Sequence, residues 1–135
     1  MSDFAPGSIC AIVPTYNRAA MLRSCIDSIL AQSRPVAELI VVNDGSTDGT
    51  QSVIRAYGDR VTLLTKPNGG KASALNLALT HCSSDYVWIC DDDDIAAPDG
   101  VRPLAEILDA HPLFDLALGG YAAFRDESGK RIFSS

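Results

Sequence analysis

The sequence predicts an α/β domain: a mostly parallel sheet with helices on both faces, in one unit spanning residues 1–135. Three observations predict it. Short β-rich runs alternate along the chain with amphipathic stretches of helical period. The run at 9–13 is continuously apolar and that at 39–42 continuously aliphatic, the pattern of strands covered on both faces by crossover helices. The chain has 135 residues, 47% of them hydrophobic, enough for one core and too many for a disordered tail.

Each element follows in order. Residues 9–13 form a buried strand, ended by Pro14. Over 18–31, Leu22, Cys25, Ile26, Ile29 and Leu30 fall on one helical stripe, with Asn17 placed as its cap. Residues 39–42 are the second strand. A polar stretch at 46–50, with Ser46 or Thr47 as cap, leads into a short helix with Val53, Ile54 and Tyr57 inward, closed by Gly58-Asp59. Threonines alternate with Val and Leu over 61–65, a third strand nearer an edge. After the turn at 66–70, residues 71–82 form a helix of small residues with Ala72, Leu75, Ala78, Leu79 and Cys82 inward. Residues 86–90 are the fourth strand. Pro98-Asp99 opens a helix with Val101, Leu104, Ile107 and Leu108 inward, closed by His111-Pro112. Residues 116–124 read as a strand kinked at Gly119-Gly120, and 127–130 as a hairpin turn into 131–133.

Composition narrows the function. With 17 acidic against 11 basic residues and a net charge of -6, the chain is a poor match to a nucleic-acid backbone. No apolar run reaches transmembrane length, and the first residues lack a basic segment followed by an apolar block. The four cysteines form no C-x-x-C pair. They are expected to be reduced core residues of a cytoplasmic protein.

In parallel sheets, ligands bind beyond the carboxyl ends of the strands, where strand order reverses. Each polar cluster of this sequence sits there: Thr15-Tyr16-Asn17, Asn43-Asp44-Gly45, Asn68-Gly69-Gly70-Lys71 and Asp91 to Asp94. The acidic run follows an apolar strand without a spacer, so its first carboxylates lie at a buried strand end. Adjacent carboxylates repel in a low dielectric, and an oxygen-preferring dication, Mg²⁺ or Mn²⁺, relieves them. Alternation at a strand end aims Asp91 and Asp93 away from Asp92. Asp44 is a carboxylate on the same rim, able to accept hydrogen bonds from a base or ribose. Two glycines, a helix N-terminus and Lys71 suit a diphosphate; a loop with a surface lysine accounts for them equally well. Other patterns fail. There is no P-loop, no G-x-G-x-x-G after the first strand, and Arg55 stands where an EF-hand needs Glu.

Four segments, Ile12-Val-Pro-Thr-Tyr-Asn-Arg18, residues 39–50 (LIVVNDGSTDGT), residues 70–76 (GKASALN) and residues 85–94 (DYVWICDDDD), in this order and spacing, resemble family 2 glycosyltransferases. The resemblance covers roughly residues 8–105. It implies a Rossmann-like GT-A sheet, here truncated, and an inverting, metal-assisted transfer from a nucleotide-diphospho-sugar. It also implies roles. Thr15, Tyr16 and Asn17 would line the base and ribose pocket, and Asp44 would contact base or ribose. Lys71 would lie near base or diphosphate. Asp91, Asp92 and Asp93 would form the D-x-D element, with Asp93 the direct metal ligand, and Asp91 a second ligand or, like Asp92, nearer the ribose or sugar.

The resemblance also implies a second half that carries the catalytic base and the acceptor pocket. Only 41 residues follow Asp94. The last acids, Asp126 and Glu127, fall in the expected hairpin turn, and neither is assigned as base. The chain is therefore expected to be the donor-binding part of the enzyme, acting on an unknown glycan or lipid-linked acceptor. A sheet edge left without its neighbour invites pairing between copies, which predicts a homodimer or exchanged segment near residues 115–135. Two other readings stay open: a nucleotide-binding module without catalysis, and a phosphotransferase of the haloacid-dehalogenase kind, whose nucleophile loop Asp91 to Asp94 resembles.

Overall fold

The computed structural model describes residues 4–120 and the backbone of 122–125 and 131–134. Its main sheet holds β1 (Ile9–Thr15), β2 (Glu38–Asn43), β3 (Thr62–Thr65) and β4 (Tyr86–Ile89), all parallel, in the order β3-β2-β1-β4. The helices are α1 (Ala19–Leu30), α2 (Thr50–Arg55), α3 (Lys71–Leu79) and α4 (Val101–Ala110), with a 3-10 turn at Gly58–Arg60. A separate antiparallel pair, β5 (Ala122–Arg125) and β6 (Arg131–Ser134), ends the described chain. The turn between them lies outside the described residues, and 112–120 is irregular rather than strand.

Strand alternation sorts the core into two layers. Ala11, Val13, Leu39 and Val41 face α1 and α2, meeting Leu22, Cys25, Ile26, Ile29 and Ile54. Cys10, Ile12, Ile40 and Val42 face α3, meeting Ala74 and Ala78. Burying each large aliphatic is worth about 1.5–3 kcal/mol, so the two layers define both strand register and helix placement.

Three expectations are corrected. Pro14 does not end β1, which runs to Thr15. Residues Ser8 and Ile12 turn their carbonyls toward β4, accepting from Tyr86 and Cys90. By alternation Pro14 points its donorless nitrogen the same way, beyond the last β1–β4 pair, Ile12 with Ile89. Helix α3 buries Ala74 and Ala78, with Leu75 and Leu77 beside them, while Ala72 and Leu79 are exposed. Small residues let its backbone approach the sheet, so the alanines take the inner position. Helix α4 buries Val101 and Ala105, but Ile107 is exposed.

β4 is an edge strand. Val87 and Ile89 share the α3 face by register, yet α3 packs on β1 and β2, and both side chains stay exposed. β3 is the other edge, as its threonines predict.

Candidate functional site

The chain runs from β1 through β2 to β3 on one side, then crosses to β4 on the other. Strand order therefore reverses between β1 and β4. Beyond their carboxyl ends lies a cleft of about 340 Å³ lined by Pro14, Thr15, Tyr16, Arg18, Asp44, Lys71 and Asp91 to Asp93.

β1 delivers Thr15, buried, and Tyr16, exposed at the rim. The Thr15 hydroxyl donates to Asp92 Oδ2 at 2.8 Å, tying the two strand ends across the switch. Asn17 is next, and its φ of 51° places it in the left-handed region that Asn tolerates. Asn17 does not cap α1, whose N-cap residue is Arg18. Its Oδ1 accepts instead from the amides of Thr47 (2.8 Å) and Asp48 (3.3 Å), and its own amide donates to Ser46 Oγ at 2.9 Å. In return the Ala19 amide donates to Asp48 Oδ2 at 3.4 Å. Asn17 thus locks the β1 loop to the β2 loop and is absent from the cleft lining. Nor do Ser46 and Thr47 cap α2: its N-cap residue is Gly49, and Asp48 Oδ1 takes the Thr50 amide and hydroxyl.

β2 delivers Asp44, almost fully buried. Its Oδ1 accepts from Lys66 Nζ (2.8 Å) and the Gly69 amide (3.0 Å); its Oδ2 accepts from the Gly70 amide (2.9 Å) and Asn68 Nδ2 (3.3 Å). Burial works against ionisation of Asp44, but the Lys66 ammonium and the Gly70 and Gly69 amides outweigh it and hold the carboxyl below its usual range. Four donors fill the roughly four acceptor positions of a carboxylate. A base or ribose can bond to Asp44 only by displacing one of them. The two glycine amides expected to cradle an anion are likewise committed, which leaves Lys71 as this segment's group facing the cleft. Gly45 is required here: its φ is +80° and a Cβ would lie 2.6 Å from the Asn68 amide nitrogen.

The acidic run is a turn, with the Asp94 amide donating to the Asp91 carbonyl at 3.1 Å. Strand alternation therefore does not govern it. Asp91 pairs with Lys71, Asp92 with Thr15, and Asp93 with Arg18 at 3.4 Å. Burial raises the Asp92 carboxyl, with the Thr15 hydroxyl and Arg18 opposing; burial and then the neighbouring Asp91 and Asp93 raise Asp94. The Cys25 thiol donates to the Asp91 carbonyl at 3.3 Å from beneath. Burial, then the four aspartates, pushes that thiol up to about 12.

These carboxylates fit a hard dication. Mg²⁺ sites use one or two carboxylates completed by substrate phosphates, and Asp91 and Asp93 each hold a single, exposed cationic partner that an ion can replace. Sequence reasoning gave Arg18 and Lys66 no role. Arg18 carried a signal, being the cation three residues past the β1 end; the pairing of Lys66 with Asp44 carried none. The haloacid-dehalogenase reading does not survive, because its nucleophile loop follows an opening strand, whereas Asp91 follows edge strand β4.

The parallel sheet flanked by helices, with its acidic turn at the switch point, is that of a GT-A-type domain, as its likeness to solved glycosyltransferases shows. The chain belongs to glycosyl transferase family 2, whose profile matches residues 10–134. It is 34% identical over 128 residues to the glycosyltransferase GlyA of Streptococcus pneumoniae, covering 93% of this chain and 18% of that protein. Among solved structures it resembles a mannosyltransferase from Pyrobaculum calidifontis in complex with GDP-Man and Mn²⁺ (36% identity, TM-score 0.63, 73% of this chain and 32% of that one). It also resembles S. aureus TarS in complex with UDP-GlcNAc (25% identity, TM-score 0.70, 84% and 37%). The chain thus spans a minor part of the length of these relatives.

Proposed function

We propose that this chain is the donor-binding part of an inverting glycosyltransferase that takes its sugar from a nucleotide-diphospho-sugar. The observation that carries the reading is the single cleft where Thr15, Tyr16, Arg18, Asp44, Lys71 and Asp91 to Asp93 meet. Its basic and acidic walls suit a diphosphate and a dication side by side, and the relatives' complexes with GDP-Man and Mn²⁺ and with UDP-GlcNAc support that pairing.

Thr15 and Tyr16 form the wall for base and ribose. Asn17 holds the loop that presents them, and Asp44 holds the opposite loop with Lys71. Lys71 and Arg18 exchange their carboxylate partners for phosphate oxygens as the donor enters. Asp93, with Asp91, holds the metal, and Asp92, fastened by Thr15, faces the ribose or sugar. Bound Mn²⁺ or Mg²⁺ supplies Lewis-acid stabilisation of the departing diphosphate. The acceptor hydroxyl, from a glycan or lipid-linked molecule, attacks the anomeric carbon from the opposite face and passes its proton to a general base not assigned in this chain; Asp126 and Glu127 lie outside the described residues. No helix among the described residues is long and apolar enough to cross a membrane. Exposed Leu116 and Leu118, beside Val87 and Ile89 of the β4 edge, support a homodimer through the C-terminal region.

Calorimetry against UDP-, GDP-, dTDP- and CDP-sugars, with and without Mn²⁺, tests the reading. One donor is expected to bind with metal dependence, and Asp93→Ala is expected to lose that dependence. Equal metal-dependent binding by the variant would overturn the assignment. A nucleotide-binding module without catalysis is the second reading; donor hydrolysis by the chain would exclude it.

A further inference from the structure

At the opposite end of the sheet, three ligating side chains converge. Cys10 and Glu38 are direct partners in the β1–β2 register and share the α3 face. Cys82 reaches the same point from the segment after α3. The two sulfurs and a Glu38 oxygen lie within 4.8 Å of one another, and this is the only such His, Cys, Asp or Glu group among the described residues. The four aspartates of the cleft, Asp44 held by Lys66 and Asp91, Asp92 and Asp93 drawn to Lys71, Thr15 and Arg18, do not form one.

The surroundings suit a ligand set. The Glu38 oxygens are unequal. Oε2 accepts from the Ser83 amide (3.1 Å), the Ser84 amide (2.9 Å) and the Ser84 hydroxyl (2.5 Å), whereas Oε1 takes one long bond, 3.3 Å, from the Ser83 amide. Three donors orient the carboxylate and leave Oε1 with acceptor capacity, the arrangement by which outer partners aim a metal-binding carboxylate. Cys10 is fully buried and forms the floor, while Cys82 and Glu38 are half-buried and leave a side open to solvent. The thiols' backbone contacts are long, Cys10 to Ala11 at 3.8 Å and Cys82 to Ser84 at 3.9 Å, and the Cys10 thiol otherwise interacts within the cluster, with Cys82 and Glu38. Burial raises the Cys10 thiol, and Cys82 and Glu38 raise it further.

We propose that Cys10, Cys82 and Glu38 form a second cation site, specific for one thiophilic dication of the Zn²⁺ class, with the fourth position open to water. Both thiols release their protons to solvent on binding. Two thiolates and a carboxylate leave one net negative charge on the complex, which the Ser83 and Ser84 donors offset. Tetrahedral zinc bonds place such donors about 3.5–3.8 Å apart, so the cluster, its ligating atoms within 4.8 Å of one another, closes by at most about 1.3 Å. Sulfur ligation separates this site from the cleft, where carboxylates favour Mg²⁺ or Mn²⁺. An ion here staples the end of α3, whose first residue is Lys71, to β1 and β2.

The reduced chain titrated anaerobically with Co²⁺ tests this. A sulfur-to-cobalt charge-transfer band is expected to saturate at one equivalent and to be displaced by Zn²⁺. Cys82→Ala is expected to abolish the band and Asp93→Ala to retain it, which separates this site from the donor cleft. In the unmodified sequence, Zn²⁺ is expected to slow alkylation of Cys82 at least tenfold. No band, a band undiminished in Cys82→Ala, or an alkylation rate indifferent to Zn²⁺ would each overturn the proposal.

Discussion

Asp44 carries the most interactions of any cleft residue, and they are internal ones. Breaking a buried ion pair by removing one charge costs about 3–5 kcal/mol, and Asp44 and Lys66 are both largely shielded. Asp44→Asn is therefore expected to lower urea-unfolding stability by roughly 3 kcal/mol. The folded carboxyl titrates below its ordinary value of 3.8. Its contribution is thus complete above that pH and disappears as pH falls through the lowered value. A stability–pH profile should show this acid limb in the natural sequence and a flatter one in Asp44→Asn. Lys71 acts differently, because its exposed ammonium is paired only with exposed Asp91. Lys71→Ala is expected to leave unfolding stability within about 0.5 kcal/mol. It should weaken nucleoside-diphosphate binding about tenfold or more, as loss of a charge-assisted bond does; calorimetry reads it. Of these roles, the sequence shows that both residues stand on the rim. It does not show that Asp44 is consumed by its own neighbours, because Lys66 and Gly69 meet it only through the β2–β3 crossover.

Among the elements, the loops after β1 and β2 work as one clasp. Asn17 accepts from the Thr47 and Asp48 amides while the Ala19 amide donates to Asp48. Asn17→Ala loses the acceptor and puts an alanine at φ 51°, an expected cost of about 1–2 kcal/mol. Asn17→Gly relieves the backbone and should recover part of it; thermal unfolding of the two variants separates side chain from strain. Periodicity predicts each α-helix among the described residues, and α1 in full phase. Around α3 it places Ala78, Leu75 and Cys82 correctly against the core but misses buried Ala74 and turns exposed Ala72 and Leu79 inward, since hydrophobic ranking favours Leu79. Close approach to the sheet, a tertiary property, selects the smaller side chains. Ala78→Leu is accordingly expected to destabilise by about 1–3 kcal/mol through overpacking, measured by the same unfolding.

In the whole molecule, one edge differs from the rest. β4 has an apolar sequence like that of β1, yet Val87, Ile89 and the following Leu116 and Leu118 are exposed. The proposed homodimer covers this edge. Sedimentation equilibrium is expected to give a mass that rises with concentration toward twice the chain mass, and a concentration-independent monomer would refute it. The order β3-β2-β1-β4 also places the acidic turn beside Thr15 and Arg18 rather than across the sheet. That adjacency turns four polar segments into one cleft.

The order of residues by itself determined the alternation of strands and helices, the parallel sheet and the rim on which Thr15, Asp44, Lys71 and Asp91 to Asp93 stand, because these follow from local hydrophobic period and chain direction. Tertiary structure alone decided which donors Asp44 accepts from, that Arg18 faces Asp93, and that Cys10, Glu38 and Cys82 meet. Those contacts join residues 22 to 75 positions apart, and no local pattern encodes a distance that only strand register and helix docking create.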